Sequence, residues 1–234
     1  VLYSLVLSLL SIGVVMVFSA SEYSTLIDYN DSFYFFKRQV IWALLSLGAM
    51  FLAMNYDYWR LKHYALPILI VAFIALGLVL IPGIGREVNG ARRWIGIGPI
   101  PFAPAELVKL SVIIFTAYGL SRQKDRVRYF SKGVLPYLLV LILATVLIMF
   151  QPDLGTVVSL AGIIFVMIFA AGVRLSHLGS ICLAGLVAVG FAIVLKPYRM
   201  QRFLAFLDPW ADPQDSGFHI IQGLYAIGSG GLFG

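Results

Sequence analysis

Long apolar stretches alternate with short polar segments along the whole chain. A helix needs about 20 mostly apolar residues to cross the hydrocarbon core of a bilayer. The alternation therefore predicts an all-α, polytopic helical membrane protein with about seven spans and the start of an eighth. The predicted spans lie near residues 1–20, 40–54, 64–81, 106–120, 133–150, 156–172 and 178–195, and the eighth begins at 218–227.

The first apolar stretch has a second interpretation as a signal peptide, because Phe18, Ser19 and Ala20 resemble a small-residue cleavage site. A signal peptide carries a basic segment before a shorter apolar core. No basic residue precedes this long run, so we favour a retained helix. The chain starts with Val1 and stops in a glycine-rich tail, from which we expect material to be missing at both ends. No separable soluble domain is indicated, so we expect one transmembrane domain, 1–234, truncated at the C-terminus.

Composition supports the membrane interpretation. Hydrophobic residues make up 61% of the chain and charged residues 12%, whereas a soluble domain is nearer half apolar and a quarter charged. The net charge of +6 arises from basic residues in the loops, so we expect no nucleic-acid partner. The single cysteine, Cys182, lies inside an apolar run and excludes an internal disulfide.

The orientation is not fixed by charge alone, because basic residues divide evenly between the two sets of loops. The plain short connectors are assigned to the cytoplasm. The glycine- and proline-rich loops 82–105 and 196–217 call for a functional explanation, since irregular backbone beside a membrane has to be covered or to line a watery cavity. We therefore expect both loops, with the QPDLG corner at 151–155, to face outward.

Charged residues near the spans are the first candidates for chemistry. Glu106 and Lys109 are three residues apart and share a helix face, either as a packing ion pair or as part of a site. Arg92 and Arg93 suit bidentate phosphate binding, but arginines beside Trp94 also reach lipid headgroups. The same choice applies to the two arginines of the later loop, Arg199 and Arg202.

Aspartates supply the candidate acid–base groups. Asp153 precedes an apolar stretch and is read first as a helix cap. Asp208 and Asp212 each precede a proline, which favours an extended backbone at both positions. Asp208, Asp212 and Asp215 lie in the same loop, and one of the three is a candidate general base. His219 and Gln222 follow on one predicted helix face, and the spacing of the histidines does not indicate a metal site.

Four motifs carry a family resemblance: NGARRWIGIG, PAELVKL, QPDLGT and PYRMQRFLAFLDPWADPQDSGFHIIQGLYAIGSGGLFG. Together they resemble the SEDS family (shape, elongation, division and sporulation proteins, which include FtsW, RodA and SpoVE) over essentially the whole chain. The chain is more similar to the FtsW and SpoVE branch than to RodA. It departs from the family at Ala103 and Ala105, where Gln and Ser are common, and at Gln214-Asp215, where Leu-Gly is usual.

The resemblance implies an inverting peptidoglycan glycosyltransferase that polymerises lipid II during cell division or sporulation. It implies about ten spans in the bacterial inner membrane, with 196–217 as an extracytoplasmic catalytic loop. The family's essential aspartate falls on Asp212, which becomes the catalytic base, while Asn is frequent at the position of Asp208. The substrate-binding residues are then Arg92, Arg93, Glu106, Lys109, Asp153, Arg199, Arg202 and Gln222.

Partners and alternatives follow from the same resemblance. The expected partners are lipid II, a class B penicillin-binding protein transpeptidase and other division proteins. No cofactor or metal ligand is assigned, although a divalent cation, Mg or Mn, is an alternative to arginine for holding pyrophosphate. Two other functions stay open: a flippase for the lipid-linked precursor, and a division scaffold without catalysis. Charges gathered at one face, without a matching second half, favour the enzyme over a transporter.

Overall fold

The computed structural model describes residues 2–88, 91–97, 100–123, 127 and 129–231. The chain forms two compact units, Val1–Arg60 and Leu61–Gly234. The single transmembrane domain expected from the sequence stays a prediction. In chain order, the helices and strands are α1 (Leu2–Tyr29), α2 (Tyr34–Met54), α3 (Leu61–Leu78), β1 (Gly85–Val88), β2 (Ala91–Ile97), β3 (Ile100–Phe102), α4 (Pro104–Gln123), α5 (Leu135–Met149), α6 (Leu154–Ala170), α7 (Leu175–Val194), α8 (Pro197–Leu207) and α9 (Phe218–Gly230).

The first unit is a helical hairpin of α1 and α2, followed by a short 3-10 turn at Tyr58–Arg60. Both helices extend into the segment between the first two predicted spans, residues 21–39. Stacking of aromatic rings accounts for the extension, because Tyr29 lies 4.1 Å from Tyr34 and Phe18 lies 5.0 Å from Phe33. The buried hydroxyl of Thr25 lies 2.8 Å from the Ser21 carbonyl of its own helix and 3.2 Å from the Ser32 carbonyl, so the end of α1 packs against the turn.

The turn between α1 and α2 is organised by Asp31. Its carboxylate accepts a hydrogen bond from the backbone N–H of Phe33 and pairs with the Lys37 ammonium at 2.8 Å. The hydrogen bond from Lys37, followed by that from Phe33, lowers the pKa of Asp31 below its ordinary value of 3.8. The ionised carboxylate is therefore the form that the turn favours.

The second unit has a core of apolar side chains from α3, α4, α5 and α6. Leu76, Val112, Ile148 and Leu160 are fully buried there. Small residues allow close approach between helices, as at Gly119 of α4, where any added methyl group would collide with the hydroxyl of Tyr137. Packing of this kind matters because lipid supplies little hydrophobic drive for helix association.

The transmembrane prediction is confirmed. Within the described residues, six helices are long and apolar enough to cross a membrane, and the apolar α6, at 17 residues, is slightly shorter. These seven helices coincide with the seven predicted spans, with ends displaced by up to nine residues, the largest displacement being at the end of α1. The eighth predicted span corresponds to α9, which runs from Phe218 to Gly230.

Two segments predicted as loops contain regular structure. Residues 82–105 include a three-stranded antiparallel sheet in the order β1-β2-β3, so the fold is not purely helical. Residues 196–217 begin with α8 rather than with irregular chain. Glycine and proline favour irregular chain, but Gly85, Gly96 and Pro101 lie within the strands. Pro197 starts α8, a position that proline favours.

The chain path gathers the functional segments at one end of the second unit. The sheet connects the end of α3 to the start of α4, and the corner at residues 150–153 connects α5 to α6. The side-chain amide of the buried Gln151 reaches the Leu76 carbonyl at the end of α3. The helix α7 then returns the chain to this end, where α8 begins.

Candidate functional site

An irregularity in β2 directs Arg93 to the corner between α5 and α6. Arg86 pairs with Trp94, and Glu87 pairs with Arg92, so that Arg93 is the extra residue of a β-bulge. Regular alternation would send adjacent side chains to opposite faces of the sheet. Bulges re-aim side chains, and here both arginines reach the segment around Pro152.

The guanidinium of Arg93 is hydrogen-bonded to backbone carbonyls. Its Nε donates to the Gln151 carbonyl at 3.1 Å, and its Nη2 donates to the Pro152 carbonyl at 2.8 Å. Its Nη1 also lies 3.9 Å from the Asp153 carboxylate. These three contacts make Arg93 a clamp between the sheet and the α5–α6 corner.

Arg92 has a different environment. Its Nε pairs with the Glu87 carboxylate at 3.0 Å, and both side chains are partly exposed. The two residues line a cavity of about 490 Å³ together with Leu80, Phe150 and Pro152. A guanidinium and a carboxylate beside exposed apolar walls can bind polar, sugar-like or anionic groups.

Asp153 caps α6, which confirms the first interpretation of this residue. Its Oδ1 accepts from the backbone N–H of Thr156 at 3.1 Å, and its Oδ2 accepts from the Thr156 hydroxyl at 2.9 Å. A carboxylate at a helix N-terminus also interacts favourably with the helix dipole. The side chain is mostly buried, with 22% of it exposed, and its contacts hold the corner that Arg93 clamps.

Glu106 and Lys109 form the predicted ion pair on the first turns of α4, with 2.7 Å between Oε1 and Nζ. Their exposures differ: 67% of the Glu106 side chain is accessible, against 25% for Lys109. The ammonium is therefore the more enclosed partner. Strand β2 contacts α4, which brings this pair to the same end of the unit as the two arginines of β2.

The two arginines of α8 have different environments, one buried and one exposed. Arg199 is buried, and its Nη1 donates to the Ala192 carbonyl near the end of α7, at 2.9 Å. Its Nε donates to the Tyr198 hydroxyl. A cation at the end of a helix satisfies free carbonyls and opposes the dipole. Arg202 is exposed.

Helix α8 is amphipathic. Its exposed apolar side chains are Phe203, Leu204, Phe206 and Leu207, and its basic residues occupy the first two turns. This composition is typical of a helix that lies in the membrane–water interface. The segment that follows therefore starts close to the bilayer surface.

Asp208 has the extended backbone predicted from the following proline, with φ −139° and ψ 90°. Asp212 has a similar φ of −142°, but its ψ of 77° lies outside the extended region. The Asp208 carboxylate accepts from the Trp210 N–H at 3.1 Å and caps a 3-10 turn at Pro209–Ala211. The Asp212 carboxylate is exposed. Its Oδ2 accepts from the N–H of Ser216 at 3.3 Å and from the Ser216 hydroxyl at 3.1 Å.

The turn that carries Asp212 is closed by Gly217. The N–H of Gly217 donates to the Asp212 carbonyl at 2.9 Å, and an added Cβ would collide with the carbonyls of Pro209 and Asp212. Only glycine fits so close to two backbone oxygens. The ring of Trp210 packs edge-on against Tyr225 at 6.0 Å, which anchors the turn on α9.

The remaining predicted residues lie on or near α9. Gln222 and His219 are exposed on this helix, and Asp215 is exposed just before it. The backbone carbonyl of Asp215 accepts from the N–H of Phe218. Within the described residues, no three His, Cys, Asp or Glu side chains lie close enough to hold a metal ion.

The structure brings together some predicted residues and leaves others apart. Arg92, Arg93 and Asp153 meet at one corner, and Lys109 pairs with Glu106. None of the four ion pairs found between described residues includes Asp212. Among the described residues, the predicted substrate-binding cations therefore form no ion pair with the predicted base.

Comparison with known proteins decides the family. Residues 1–234 match the model of the FtsW/RodA/SpoVE family, described as a cell cycle protein. The chain belongs to this family. The predicted resemblance to the SEDS proteins is therefore confirmed.

Individual relatives of the family agree with the FtsW and SpoVE branch. The chain is 45% identical to stage V sporulation protein E of Bacillus subtilis, over 97% of this chain and 62% of the relative. It is 41% identical to the probable peptidoglycan glycosyltransferase FtsW of Geobacter sulfurreducens, over 99% of this chain and 64% of the relative. The chain thus spans a little over three fifths of these proteins.

A solved family structure shares the fold. It is described as "Structural coordination of polymerization and crosslinking by a peptidoglycan synthase complex". The match has a TM-score of 0.69 and 34% sequence identity, and it covers 94% of this chain and 66% of the other. The multi-pass helical architecture derived above is therefore the architecture of the family.

Three residues of the site were missed by sequence reasoning. Glu87 faces Arg92, Gln151 links α3 to the corner, and Ser216 holds Asp212. The serine had a usable signal, since a hydroxyl a few residues beyond an aspartate often bonds to it in a turn. Gln151 lies in the QPDLGT motif, but its partner depends on helix packing, and that of Glu87 depends on strand register.

Proposed function

We propose that this chain is the larger part of a peptidoglycan glycosyltransferase that polymerises lipid II, with Asp212 as its general base. The observation that carries the proposal is the exposed Asp212 carboxylate, fixed on a rigid turn beside an amphipathic helix at the end of a membrane-spanning bundle. The printed name of the Geobacter sulfurreducens relative and the peptidoglycan synthase complex supply the reaction class.

The proposed reaction is a single displacement with inversion. The donor sugar is α-linked to a polyprenyl pyrophosphate and the polymer bond is β, so no covalent sugar–enzyme intermediate is needed. As the acceptor 4-hydroxyl oxygen bonds to the donor anomeric carbon, its proton passes to Asp212. The bond from the anomeric carbon to the pyrophosphate oxygen breaks, and its electron pair leaves with the pyrophosphate.

The cations divide into those that bind and those that position. Arg93 and Arg199 already donate to backbone carbonyls, so we assign them to positioning. Arg92, Lys109 and Arg202 are assigned to the pyrophosphate, because the first two are paired with exposed carboxylates and the third is exposed. Fixed positive charge aimed at the leaving oxygens lowers the barrier without a proton donor.

A divalent cation stays a prediction without a structural basis in this chain. Within the described part of the chain, no group of three metal-ligating side chains lies close enough to hold an ion. No step of the proposed reaction is assigned to a metal. The charge of the leaving group is assigned to Arg92, Lys109 and Arg202.

Localisation and partners extend the same proposal. The Asp212 turn and the sheet would face the extracytoplasmic side of the inner membrane, where the donor's lipid tail enters between helices. A class B penicillin-binding protein transpeptidase, with other division proteins, would take up the product. Support comes from the family structure described as coordinating polymerization and crosslinking.

The test is polymerisation of lipid II in detergent by the full-length protein with its transpeptidase. We expect D212N to lower the rate by about 100-fold or more, the usual contribution of a general base. D208N is the matched control, since asparagine keeps the cap on the Trp210 turn, and its rate should stay near that of the parent. Polymerisation by D212N at the parental rate would overturn the proposal.

The detergent assay also separates the alternatives. Flipping has no meaning without two membrane leaflets, so a flippase would form no glycan strand in detergent. A scaffold would form none either, and its Asp212 would be replaceable in cells. Strand formation that depends on Asp212 excludes both.

A further inference from the structure

We infer that Ser216 is a positioning residue that holds Asp212 so that one carboxylate oxygen serves as the base and the other is fixed. This inference rests on the proposed function. The observation behind it is that the hydroxyl and the N–H of Ser216 converge on the same oxygen, Oδ2 of Asp212, at 3.1 and 3.3 Å.

The convergence makes the two oxygens of Asp212 unequal. Both donors of Ser216 reach Oδ2, and neither reaches Oδ1. Rotation of the carboxylate about its terminal bond is otherwise soft, since torsions of this type are broad. Two donors on one oxygen restrict that rotation, and Oδ1 becomes the oxygen that accepts the sugar hydroxyl proton.

The backbone around this pair is held independently of the side chains. The Gly217 N–H closes the turn onto the Asp212 carbonyl, and Pro213 fixes the backbone that follows the aspartate. Removing the Ser216 hydroxyl therefore leaves the turn and one of the two donors in place. The hydroxyl contributes orientation of the carboxylate more than it contributes folding.

The position of the pair on the protein fits the acceptor substrate. Asp212 is exposed and Ser216 is partly buried, so the carboxylate is the more accessible of the two side chains to an incoming hydroxyl. A general base has to lie within about 2.6–3.2 Å of the proton it takes. A carboxylate that rotates freely spends less time in that geometry. Free rotation therefore lowers the rate of the chemical step and leaves substrate binding unchanged.

The experiment compares S216A and S216T in the full-length protein with its transpeptidase, using lipid II in detergent. We expect S216A to lower kcat about 3- to 10-fold with little change in KM, which is the loss of one hydrogen bond to a carboxylate. S216T keeps a hydroxyl and should restore most of the rate. S180A, which removes an exposed hydroxyl bonded to the His177 carbonyl of α7, is the control and should match the parent.

The outcomes separate this inference from the proposed function. If D212N is inactive and S216A has the parental kcat, Ser216 does not position the base and the inference is wrong. If D212N itself is fully active, the proposed function fails first. If S216A and S216T are equally slow, or if S216A loses thermal stability in proportion to activity, the serine is structural and the inference is again overturned.

Discussion

The guanidinium Nη2 of Arg93 lies 2.8 Å from the carbonyl oxygen of Pro152, which is 59 residues further along the chain. This hydrogen bond joins a strand to a corner between two helices. Few other polar contacts in the described part of the chain join residues so far apart in sequence. It divides the adjacent arginines of β2 into one that supports the site and one that faces its cavity.

Replacing each of these arginines by lysine should therefore affect different properties: Arg93 should affect thermal stability, and Arg92 should affect the KM for lipid II. R93K loses the planar fork that binds two carbonyls at once, and we expect its Tm to fall by about 2–4 °C or more, for roughly 1 kcal/mol lost. R92K keeps a charge beside Glu87, and its Tm should stay near the parental value while KM for lipid II rises. Thermal unfolding of the full-length protein in detergent, with kinetics, checks both. A stable R93K beside an unstable R92K would contradict the division.

Asp153 should act on stability through its cap. D153A is expected to cost about 1 kcal/mol, the usual value for a lost N-cap, and D153S should recover most of it. The measurement is thermal unfolding alongside lipid II polymerisation. If D153S restores stability but stays inactive, the carboxylate also binds substrate.

Gly217 should be irreplaceable in the turn that carries the base. G217A drives a methyl group into the carbonyls of Pro209 and Asp212, so we expect activity to fall by about tenfold or more as the turn shifts. Gly223 has open space around its Cβ position, which makes G223A the matched control on the neighbouring helix. Polymerisation rates compared at equal folded protein give the answer. Equal rates for the two variants would show that the turn tolerates displacement.

Gly119 should set the spacing of α4 and α5. G119A places a methyl group against the Tyr137 hydroxyl, and overpacking of this kind costs about 1–3 kcal/mol. Adding Y137F removes the hydroxyl and should recover part of the loss. Unfolding of the two single variants and of the double variant measures the coupling. Strictly additive effects would mean that the helices move apart without strain; G162A, with open space, is the control.

The Asp31 turn should give the first unit a small acid dependence. The Lys37 and Phe33 hydrogen bonds lower the pKa of Asp31 from 3.8, so the native turn favours the ionised form. Its contribution to stability is present above about pH 4 and is lost as the pH falls through the lowered native value. Thermal unfolding of the parent and D31N between pH 6 and pH 3 should converge at the acid end. A constant difference between the two proteins across this range would contradict the link.

The spans could be predicted from the sequence because a long apolar run has few stable backbone conformations in a membrane. A backbone in lipid has to bond internally, and for runs of this length only a helix achieves that. The extended backbone at Asp208 was also predictable, since proline restricts the residue before it. Local rules of this kind do not depend on the rest of the fold.

The sheet and α8 were not predicted, because they depend on pairing and packing with distant parts of the chain. Strands as short as Gly85–Val88 become stable only through pairing, and the register that pairs Glu87 with Arg92 includes a bulge that no local pattern marks. Helix α8 begins at a proline and carries arginines, features that also fit a loop. The separation of Arg199 from Arg202 depends on where α7 ends, which is a property of the packed molecule.

Because of the bulge in β2, the direction of the arginine side chains depends on the number of residues in this strand as well as on their identity. Removing one residue would restore strict alternation, and one of the two neighbouring guanidinium groups would then turn away from the membrane-proximal corner. The protein would keep its net charge on deletion of an uncharged neighbour, yet lose either the clamp or the cavity wall. We would thus expect insertions and deletions here to be tolerated far less well than exchanges of side chains.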